Sequence, residues 1–220
     1  MTKWYAADVD GLKAPAVFER LYRTLPLHRK DKIEKIRFEK DKRRCMGAWL
    51  LLMHALQAEG IAELEICLSY GEHGKPYLAD HPELFFNLSH SGNRVLCAVS
   101  DGEVGCDVQK IKRYDGQLAE RFFSPEECGY LSKVSKEERD TLFFRYWTLK
   151  ESFIKNIGTG LALPLNQFSI QLSGDGVGVK QQVLPEETFF FRDVDSGDGY
   201  RYACCARRQE IEEIEVVRLV

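Results

Sequence analysis

The sequence predicts an α+β fold made of two halves, in each of which a long helix is followed by short strands. Apolar residues recur at helical spacing in two long segments, and short β-branched and aromatic runs follow each of them. Glycine, proline and serine separate these runs, as is typical of turns. The chain has 220 residues, 44% of them hydrophobic, so it can bury a sizeable core.

In the first half, residues 30–58 carry the helical pattern, and Gly60 is placed to end the helix. The recurring apolar positions are Ile33, Ile36, Trp49, Leu50, Met53 and Leu56. The pattern predicts one long helix or two that join near Cys45. Strands are predicted to follow in the runs "ELEICLS", "KPYL", "LFFNLSH" and "NRVLCAVS".

The second half opens with the strand "EVGCDVQKI" and continues with two capped helices. Ser124 with Glu127 forms a capping box around Pro125, and Ser135 with Glu138 forms another. The second box opens the amphipathic segment "KEERDTLFFRYWTLKESFIKNIG", which Gly158 should end. Strands are predicted again in "NQFSIQLS", "VGVKQQVL", "TFFFRDV" and "GYRYACCARR".

The order of elements in the two halves favours an internal duplication. The strands "NRVLCAVS" and "GYRYACCARR" occupy comparable places, each after a turn with glycine and each with cysteine in its middle. We place the boundary so that one half spans residues 1–102 and the other residues 103–220. No Pro/Ser-rich linker separates them, so the join should be rigid.

Composition limits the location and the class of the protein. The net charge is −3, and the seven cysteines include no C-x-x-C pair, which is typical of reduced core thiols. The N-terminus has no apolar signal segment, and "GAWLLLMHAL" is far shorter than the ~20 residues that span a bilayer. We therefore expect a cytoplasmic protein with no membrane role.

Residues 28–44 are locally basic, with nine lysines or arginines against four acids, a net charge of +5. One interpretation is a solvated helix with opposite-charge pairs. The other is a phosphate-binding surface.

Asp107 and Gln109 interrupt an apolar strand, and because they lie two residues apart their side chains share one face. This face is either part of an oxygen-rich cation site or a polar sheet edge. Trp147, Glu151 and Lys155 lie four residues apart and line one helical stripe. Aromatic residues flank that stripe, so we expect Glu151 to face protein and to need Lys155 or a cation as its partner.

"FFNLSHSG" places Asn87, Ser89, His90 and Ser91 at the end of a strand, either as a polar turn or as a donor set for phosphate. "GEHGKPY" presents Lys75 on a tight turn. Neither G-x-G-x-x-G nor the P-loop pattern occurs in the sequence, and the five histidines are dispersed, which argues against zinc.

The order of these motifs resembles the 4′-phosphopantetheinyl transferases of the longer, Sfp-type group. The resemblance extends over residues 28–172, through the basic helix, "GKP", "FNLSHSG", "VGCDVQ", "FFSPEE" and "WTLKESFIKNIGTGL". It implies two pseudo-twofold-related halves, each a small, mainly antiparallel sheet packed with a long helix, in a monomer. It also implies that coenzyme A and Mg²⁺ bind between the halves and that the phosphopantetheine arm is transferred to a serine of an acyl or peptidyl carrier protein, releasing adenosine 3′,5′-bisphosphate.

The resemblance also implies residue roles. Asp107 and Glu151 would bind the metal, with Glu151 as the candidate base. Lys155, Ser89 and His90 would contact the phosphates of coenzyme A, with Lys155 and His90 counted among the catalytic residues. Lys75 and one of Arg43 or Arg44 would hold the 3′-phosphate side, while Lys32 and Lys35 match only loosely.

Gln109 departs from the family, because many relatives have a third acid there. We predict that Gln109 binds the ion weakly or through water. A second hypothesis is a coenzyme A-binding module without transfer, and a third makes residues 28–44 a nucleic-acid patch, against which the net charge of −3 argues. The carrier could serve polyketide, nonribosomal peptide, siderophore or fatty-acid synthesis.

Overall fold

The computed structural model describes residues 1–62, 66–174 and 176–220. The helices are α1 Pro15–Thr24, α2 Leu27–Glu34, α3 Glu39–Ala58, α4 Gly116–Phe122, α5 Pro125–Lys133 and α6 Lys136–Ile157. The strands are β1 Thr2–Asp8, β2 Leu68–Tyr70, β3 Pro76–Leu78, β4 Phe85–Ser91, β5 Arg94–Ser100, β6 Val104–Lys110, β7 Ser169–Ser173, β8 Gly176–Lys180, β9 Phe190–Asp195, β10 Tyr200–Ala206 and β11 Glu215–Val217.

Two sheets form the centre of the molecule. The first has the strand order β11-β1-β5-β4 and the second has the order β6-β10-β9. All of these neighbours are antiparallel except β1 and β11. Two-stranded hairpins, β2-β3 and β7-β8, accompany the sheets. The predicted α+β class with mainly antiparallel sheets is confirmed.

The two halves repeat one arrangement. In the first half α3 packs on β1 and β5, and in the second α6 packs on β6 and β10. The order strand, long helix, hairpin, then two paired strands holds in both, so β1-β5-β4 corresponds to β6-β10-β9. The inner faces of the two sheets meet in one apolar cluster that includes Trp4, Leu96, Cys106, Val108 and Cys204. Each long helix therefore lies on the outer side of its own sheet.

The helix ends that the sequence predicted are largely confirmed. Both capping boxes form, at Ser124 and at Ser135, and Gly158 ends α6 in the left-handed conformation at φ 74°. The predicted join near Cys45 is wrong, because α3 runs unbroken through it and the break lies at residues 35–38. Glu39 and Asp41 in the first turn of α3 favour a helix start there through the helix dipole.

The end of the chain returns to the first half. Strand β11 pairs in parallel with β1, and the indole Nε1 of Trp4 donates to the Glu212 carbonyl at 2.8 Å. The last residues therefore pack with the first half, although the predicted division at residue 102 assigned them to the second, and that division stays a prediction. The sequence patterns had not indicated β1, β11, α1 or α4. The run "ELEICLS" lies partly outside the described residues, and its end forms β2.

All seven cysteines are free, and Cys97, Cys106, Cys204 and Cys205 are buried, as predicted for core thiols, whereas Cys67 is exposed. Burial raises the pKa of the Cys106 thiol to about 12. In the described ranges no helix combines the length and hydropathy that a bilayer crossing requires.

Candidate active site

Strand β6 and helix α6 approach each other closely at Gly105. A Cβ built at this position would lie 2.1 Å from the Ser152 carbonyl oxygen and 2.3 Å from the Asn156 amide nitrogen. Only glycine therefore lets the helix backbone rest on the strand. Asp107 and Gln109 share the face of β6 on which Gly105 lies, since alternate residues of a strand point to the same side.

Asp107 is buried beneath α6, and Lys155 contacts it from the helix. The Lys155 ammonium lies 2.6 Å from Oδ1 of Asp107 and also donates to the Cys106 carbonyl at 3.2 Å. Burial alone would lower the pKa of Lys155, but the Asp107 carboxylate outweighs burial, and the pKa lies above its ordinary value. Lys155 is therefore charged at neutral pH.

Glu151 lies one turn before Lys155 on the same helix and is only partly exposed. Burial and then the negative charge of Asp107 raise the pKa of Glu151 to about 7, and Lys155 offsets only part of this. The two carboxylates are thus close enough to interact electrostatically, and Lys155 acts on both of them. Two carboxylates and one ammonium leave one negative charge uncompensated, and a divalent cation bound by the carboxylate oxygens would compensate it.

These residues fit Mg²⁺. Mg²⁺ is usually held by one or two carboxylates together with substrate phosphate and water, which Asp107 and Glu151 can provide. In the described part of the chain, no group of three or more His, Cys, Asp or Glu side chains forms a metal cluster.

Gln109 orients its amide toward Asp107. Its Nε2 donates to Oδ2 of Asp107 at 3.1 Å, and its Oε1 lies 3.3 Å from the Ser91 hydroxyl. The amide nitrogen therefore faces the acid, and the amide oxygen faces strand β4. The prediction that Gln109 contacts the ion weakly or through water stays a prediction.

A cavity of about 350 Å³ opens between α2, α3 and the β2-β3 hairpin, and it reaches strand β4 at His90. Its lining includes Arg29, Lys32, Asp41, Trp49, Tyr70 and His90. Arg29 is only 5% exposed, stacks over the Trp49 ring at 4.5 Å, and has a sulfur, Cys45 Sγ at 3.9 Å, as its hydrogen-bond partner. Its Nε has no partner within the described residues. A buried guanidinium without a carboxylate partner indicates that an anion binds here.

Known proteins match both halves of this chain. A family model described as the 4′-phosphopantetheinyl transferase superfamily matches residues 103–205, and one described as 4′-phosphopantetheinyl transferase, N-terminal, matches residues 13–102. A 4′-phosphopantetheinyl transferase of Bacillus subtilis is 34% identical over 208 residues, which cover 93% of this chain and 92% of the relative. The chain belongs to the 4′-phosphopantetheinyl transferase superfamily.

A second relative agrees with this assignment. The 4′-phosphopantetheinyl transferase Sfp of Bacillus subtilis strain 168 is 31% identical over 212 residues, 96% of this chain and 95% of the relative. Among solved structures, a holo-(acyl-carrier-protein) synthase from Bacillus anthracis in complex with CoA (3′,5′-ADP) is 16% identical, with a TM-score of 0.42, and covers 48% of this chain and 93% of that one. The predicted Sfp-type transferase is confirmed.

Three of the predicted site residues, His90, Arg44 and Arg43, lie at or near two cavities lined mainly by the first half. His90 lines the cavity, and the surrounding protein and then the Arg44 guanidinium lower its pKa. Arg44 donates from Nε to the Gly92 carbonyl at 2.6 Å and pairs with Asp41 at 2.6 Å. Arg43, its neighbour, lines a different cavity with Lys110 and Tyr200.

Lys75 and Ser89, like Lys155 and Arg44, have protein partners in the structure. Lys75 binds the Glu103 carboxylate at 2.5 Å and the Asn156 carbonyl at 2.8 Å, so it crosses from the hairpin to the second half. Ser89 donates its hydroxyl proton to Asp107 at 2.7 Å and is buried. The phosphate contact predicted for Ser89 competes with that bond and stays a prediction.

Sequence reasoning missed Arg29. It stands in a charged run, where a solvated side chain is the ordinary expectation, and its burial depends on Trp49 from another helix. A signal was present, since Arg29 lies three residues before Lys32 and therefore on the same helical face. Lys35, one of the loosely matched lysines, is exposed, whereas Lys32 lines the cavity.

Proposed function

We propose that this transferase moves the 4′-phosphopantetheine arm of coenzyme A onto a serine hydroxyl of an acyl or peptidyl carrier protein, with Mg²⁺, and releases adenosine 3′,5′-bisphosphate. The observation that carries the proposal is that Asp107 and Glu151 share Lys155, whose charge also acts on His90 in the cation-lined cavity. A pyrophosphate needs such a combination of metal-binding oxygens and cations.

The cavity would take the nucleotide end of coenzyme A. Arg29, Lys32 and His90 converge there, and Arg44 lies next to His90. We therefore assign the 3′-phosphate to this set and choose Arg44 over Arg43, which lies in the other cavity. Lys75 and Lys155 contact carboxylates of the second half, and we assign both to the pyrophosphate of coenzyme A, although the resemblance places Lys75 on the 3′-phosphate side. Lys75 would exchange its bond to Glu103 for one to a phosphate oxygen.

A bound Mg²⁺, held by Asp107 and Glu151, would neutralise negative charge that develops on the pyrophosphate oxygens. Glu151 would accept the proton of the carrier serine at a carboxylate oxygen. The serine oxygen then forms a bond to the β-phosphorus, the bond from that phosphorus to the bridging oxygen breaks, and the bisphosphate leaves with the electron pair. Lys155 would stabilise the leaving oxygens.

Both carboxylates and all of these cations come from one chain, which supports activity as a monomer. The free cysteines support a cytoplasmic location. Arg29 and Lys32 of the basic segment at residues 28–44 line the cavity, which supports the phosphate-binding interpretation of that segment over a nucleic-acid patch.

The experiment that tests the proposal combines the protein with coenzyme A, Mg²⁺ and an apo-carrier protein and follows the products. Intact-mass spectrometry should show one added phosphopantetheine arm per carrier, and chromatography should show an equal amount of adenosine 3′,5′-bisphosphate. A carrier with its acceptor serine changed to alanine should gain nothing. Coenzyme A binding with no mass gain on any of several carriers would instead favour a binding module without transfer.

A further inference from the structure

Strand β4 contacts the free edge of β6 through a row of side chains. Asn87 Oδ1 accepts the Cys106 amide at 3.0 Å, Ser89 Oγ accepts the Val108 amide at 3.3 Å, and Ser91 Oγ accepts the Lys110 amide at 3.1 Å. The donors are alternate residues of β6, and the acceptors are alternate residues of β4. The row, Asn87, Ser89 and Ser91, thus takes the place of a neighbouring strand along this edge.

Ser89 has a second bond that reaches the reacting centre. Its hydroxyl donates to Oδ1 of Asp107 at 2.7 Å while its oxygen accepts the Val108 amide. A serine hydroxyl has one proton, and here that proton is given to Asp107. Ser89 is 6% exposed, so it is also removed from the cavity solvent.

Gln109 holds the other oxygen of the same carboxylate. Its Nε2 donates to Oδ2 of Asp107, whereas a glutamate at this position would add a negative charge beside the acid. An ionised carboxylate offers about four lone-pair positions. Ser89 and Lys155 occupy Oδ1 and Gln109 occupies one position on Oδ2, so the position that stays open is on Oδ2.

We propose that Ser89 and Gln109 are positioning residues that fix the orientation of the Asp107 carboxylate for metal binding. The inference rests on the proposed function, because it takes Asp107 as a metal ligand. Groups that orient a metal ligand typically change metal affinity by about 10–100-fold when they are removed.

The test measures metal and coenzyme A affinity separately. Mn²⁺ binding is titrated by electron paramagnetic resonance with saturating coenzyme A, and coenzyme A binding is titrated calorimetrically in EDTA. For Ser89→Ala we expect Mn²⁺ affinity to fall by about 10–100-fold. Coenzyme A affinity in EDTA should stay within about threefold, because the hydroxyl proton is committed to Asp107. Gln109→Leu, which removes the amide donor, should behave in the same way.

Asn87→Ala is the matched control. It removes the same kind of bond to β6 but none to Asp107, so Mn²⁺ affinity should change by less than about threefold while the seam between β4 and β6 is weakened. Thermal unfolding verifies that each variant is folded, and Ser89→Thr, which retains the hydroxyl, should restore Mn²⁺ affinity if Ser89→Ala does not fold.

Two results would overturn the inference. If Ser89→Ala weakens coenzyme A binding in EDTA and leaves Mn²⁺ affinity unchanged, Ser89 is a phosphate ligand. If Asn87→Ala lowers Mn²⁺ affinity as much as Ser89→Ala, the effect comes from the seam and not from the carboxylate. If the unaltered protein does not bind Mn²⁺ in the presence of coenzyme A, the proposed metal site itself is wrong. This outcome is distinguishable from the two above, because it is measured without any substitution.

Discussion

Lys155 of helix α6 donates to Asp107 of strand β6 across 2.6 Å, and this bond joins the two elements that carry the site. It is possible because Gly105 lets the helix rest on the strand two residues before Asp107. Glu151 lies one turn earlier, close enough for the same carboxylate to raise its pKa. The chemistry of the site therefore depends on a close approach of backbones as much as on the charged residues.

Replacing Arg29 should weaken coenzyme A binding. In Arg29→Met the cavity loses a buried guanidinium whose Nε has no partner within the described residues. A hydrogen bond to a charged group contributes about 1.5–3 kcal/mol, so we expect the Kd for coenzyme A to rise by about 10–100-fold in calorimetric titration. Arg37→Met, at an exposed arginine of the same basic segment, is the control. An equal loss in both variants would mean that the segment acts through general charge.

Gly105→Ala should destabilise the protein. The added methyl would overlap the Ser152 carbonyl of α6, and overpacking of this kind costs about 1–3 kcal/mol or more. Thermal unfolding should show a lower Tm, with transfer activity reduced because Lys155 moves away from Asp107. Gly129→Ala is the matched control: this glycine lies inside α5 with nothing within 4 Å of the new methyl, and alanine there should stabilise by about 0.5–1 kcal/mol. A Gly105→Ala protein as stable as the original would refute the close approach.

Lys150→Met should cost more than any surface ion pair. Lys150 is fully buried, pairs with Glu127 at 2.8 Å, and donates to the carbonyls of Leu165 and Phe168. Its removal leaves Glu127 buried without its cation, and we expect a loss of about 3–5 kcal/mol in the free energy of unfolding by denaturant titration.

Two controls accompany the Lys150 prediction. Adding Glu127→Gln to Lys150→Met should recover part of the loss, because it removes the unpaired buried charge. The recovery is only partial, since the Ser124 and Ile170 amides bind different oxygens of Glu127 and glutamine offers one oxygen. Arg23→Met breaks the exposed pair with Glu19 and should cost about 0–1 kcal/mol. No recovery in the double variant would indicate that Lys150 contributes through packing alone.

Binding of coenzyme A should draw a proton onto His90. Burial, and then Arg44, lower the pKa of His90 in the free protein, with Lys155 acting in the same direction and Asp41 against it. His90 is therefore neutral at pH 7, and a phosphate placed beside it would favour its protonated form. Coenzyme A affinity should fall as pH rises above the lowered pKa of His90 in the free protein. Calorimetry in buffers of different ionisation enthalpy should show proton uptake that His90→Asn abolishes; the same uptake in both proteins would contradict the role.

Helices α5 and α6 could be predicted from the sequence because their end signals are local. The capping boxes at Ser124 and Ser135 and the glycine at 158 act within four residues, and each forms as predicted. Strands β1 and β11 could not be predicted. β1 is buried on both faces between β11 and β5 and therefore shows no alternation of polar and apolar residues, and β11 has only three residues. Their pairing joins the two ends of the chain.

The same distinction holds at the site. Spacing alone placed Asp107 with Gln109, and Glu151 with Lys155, and family resemblance joined the two sets; the structure shows Lys155 bound to Asp107. Arg29 could not be distinguished from its solvated neighbours, because its burial comes from Trp49 on α3. The bond from Ser89 to Asp107 was equally hidden, since it connects strands of different sheets.

The most direct test of the proposed mechanism is the metal dependence of transfer. Apo-carrier and coenzyme A are incubated with the protein in Mg²⁺ or in EDTA, and the carrier is weighed by intact-mass spectrometry. The mechanism predicts a phosphopantetheine arm on the carrier in Mg²⁺, none in EDTA, and a loss of rate of about 10²-fold or more in Glu151→Gln, whose amide cannot accept the serine proton. Full transfer in EDTA, or undiminished transfer by Glu151→Gln, would contradict it.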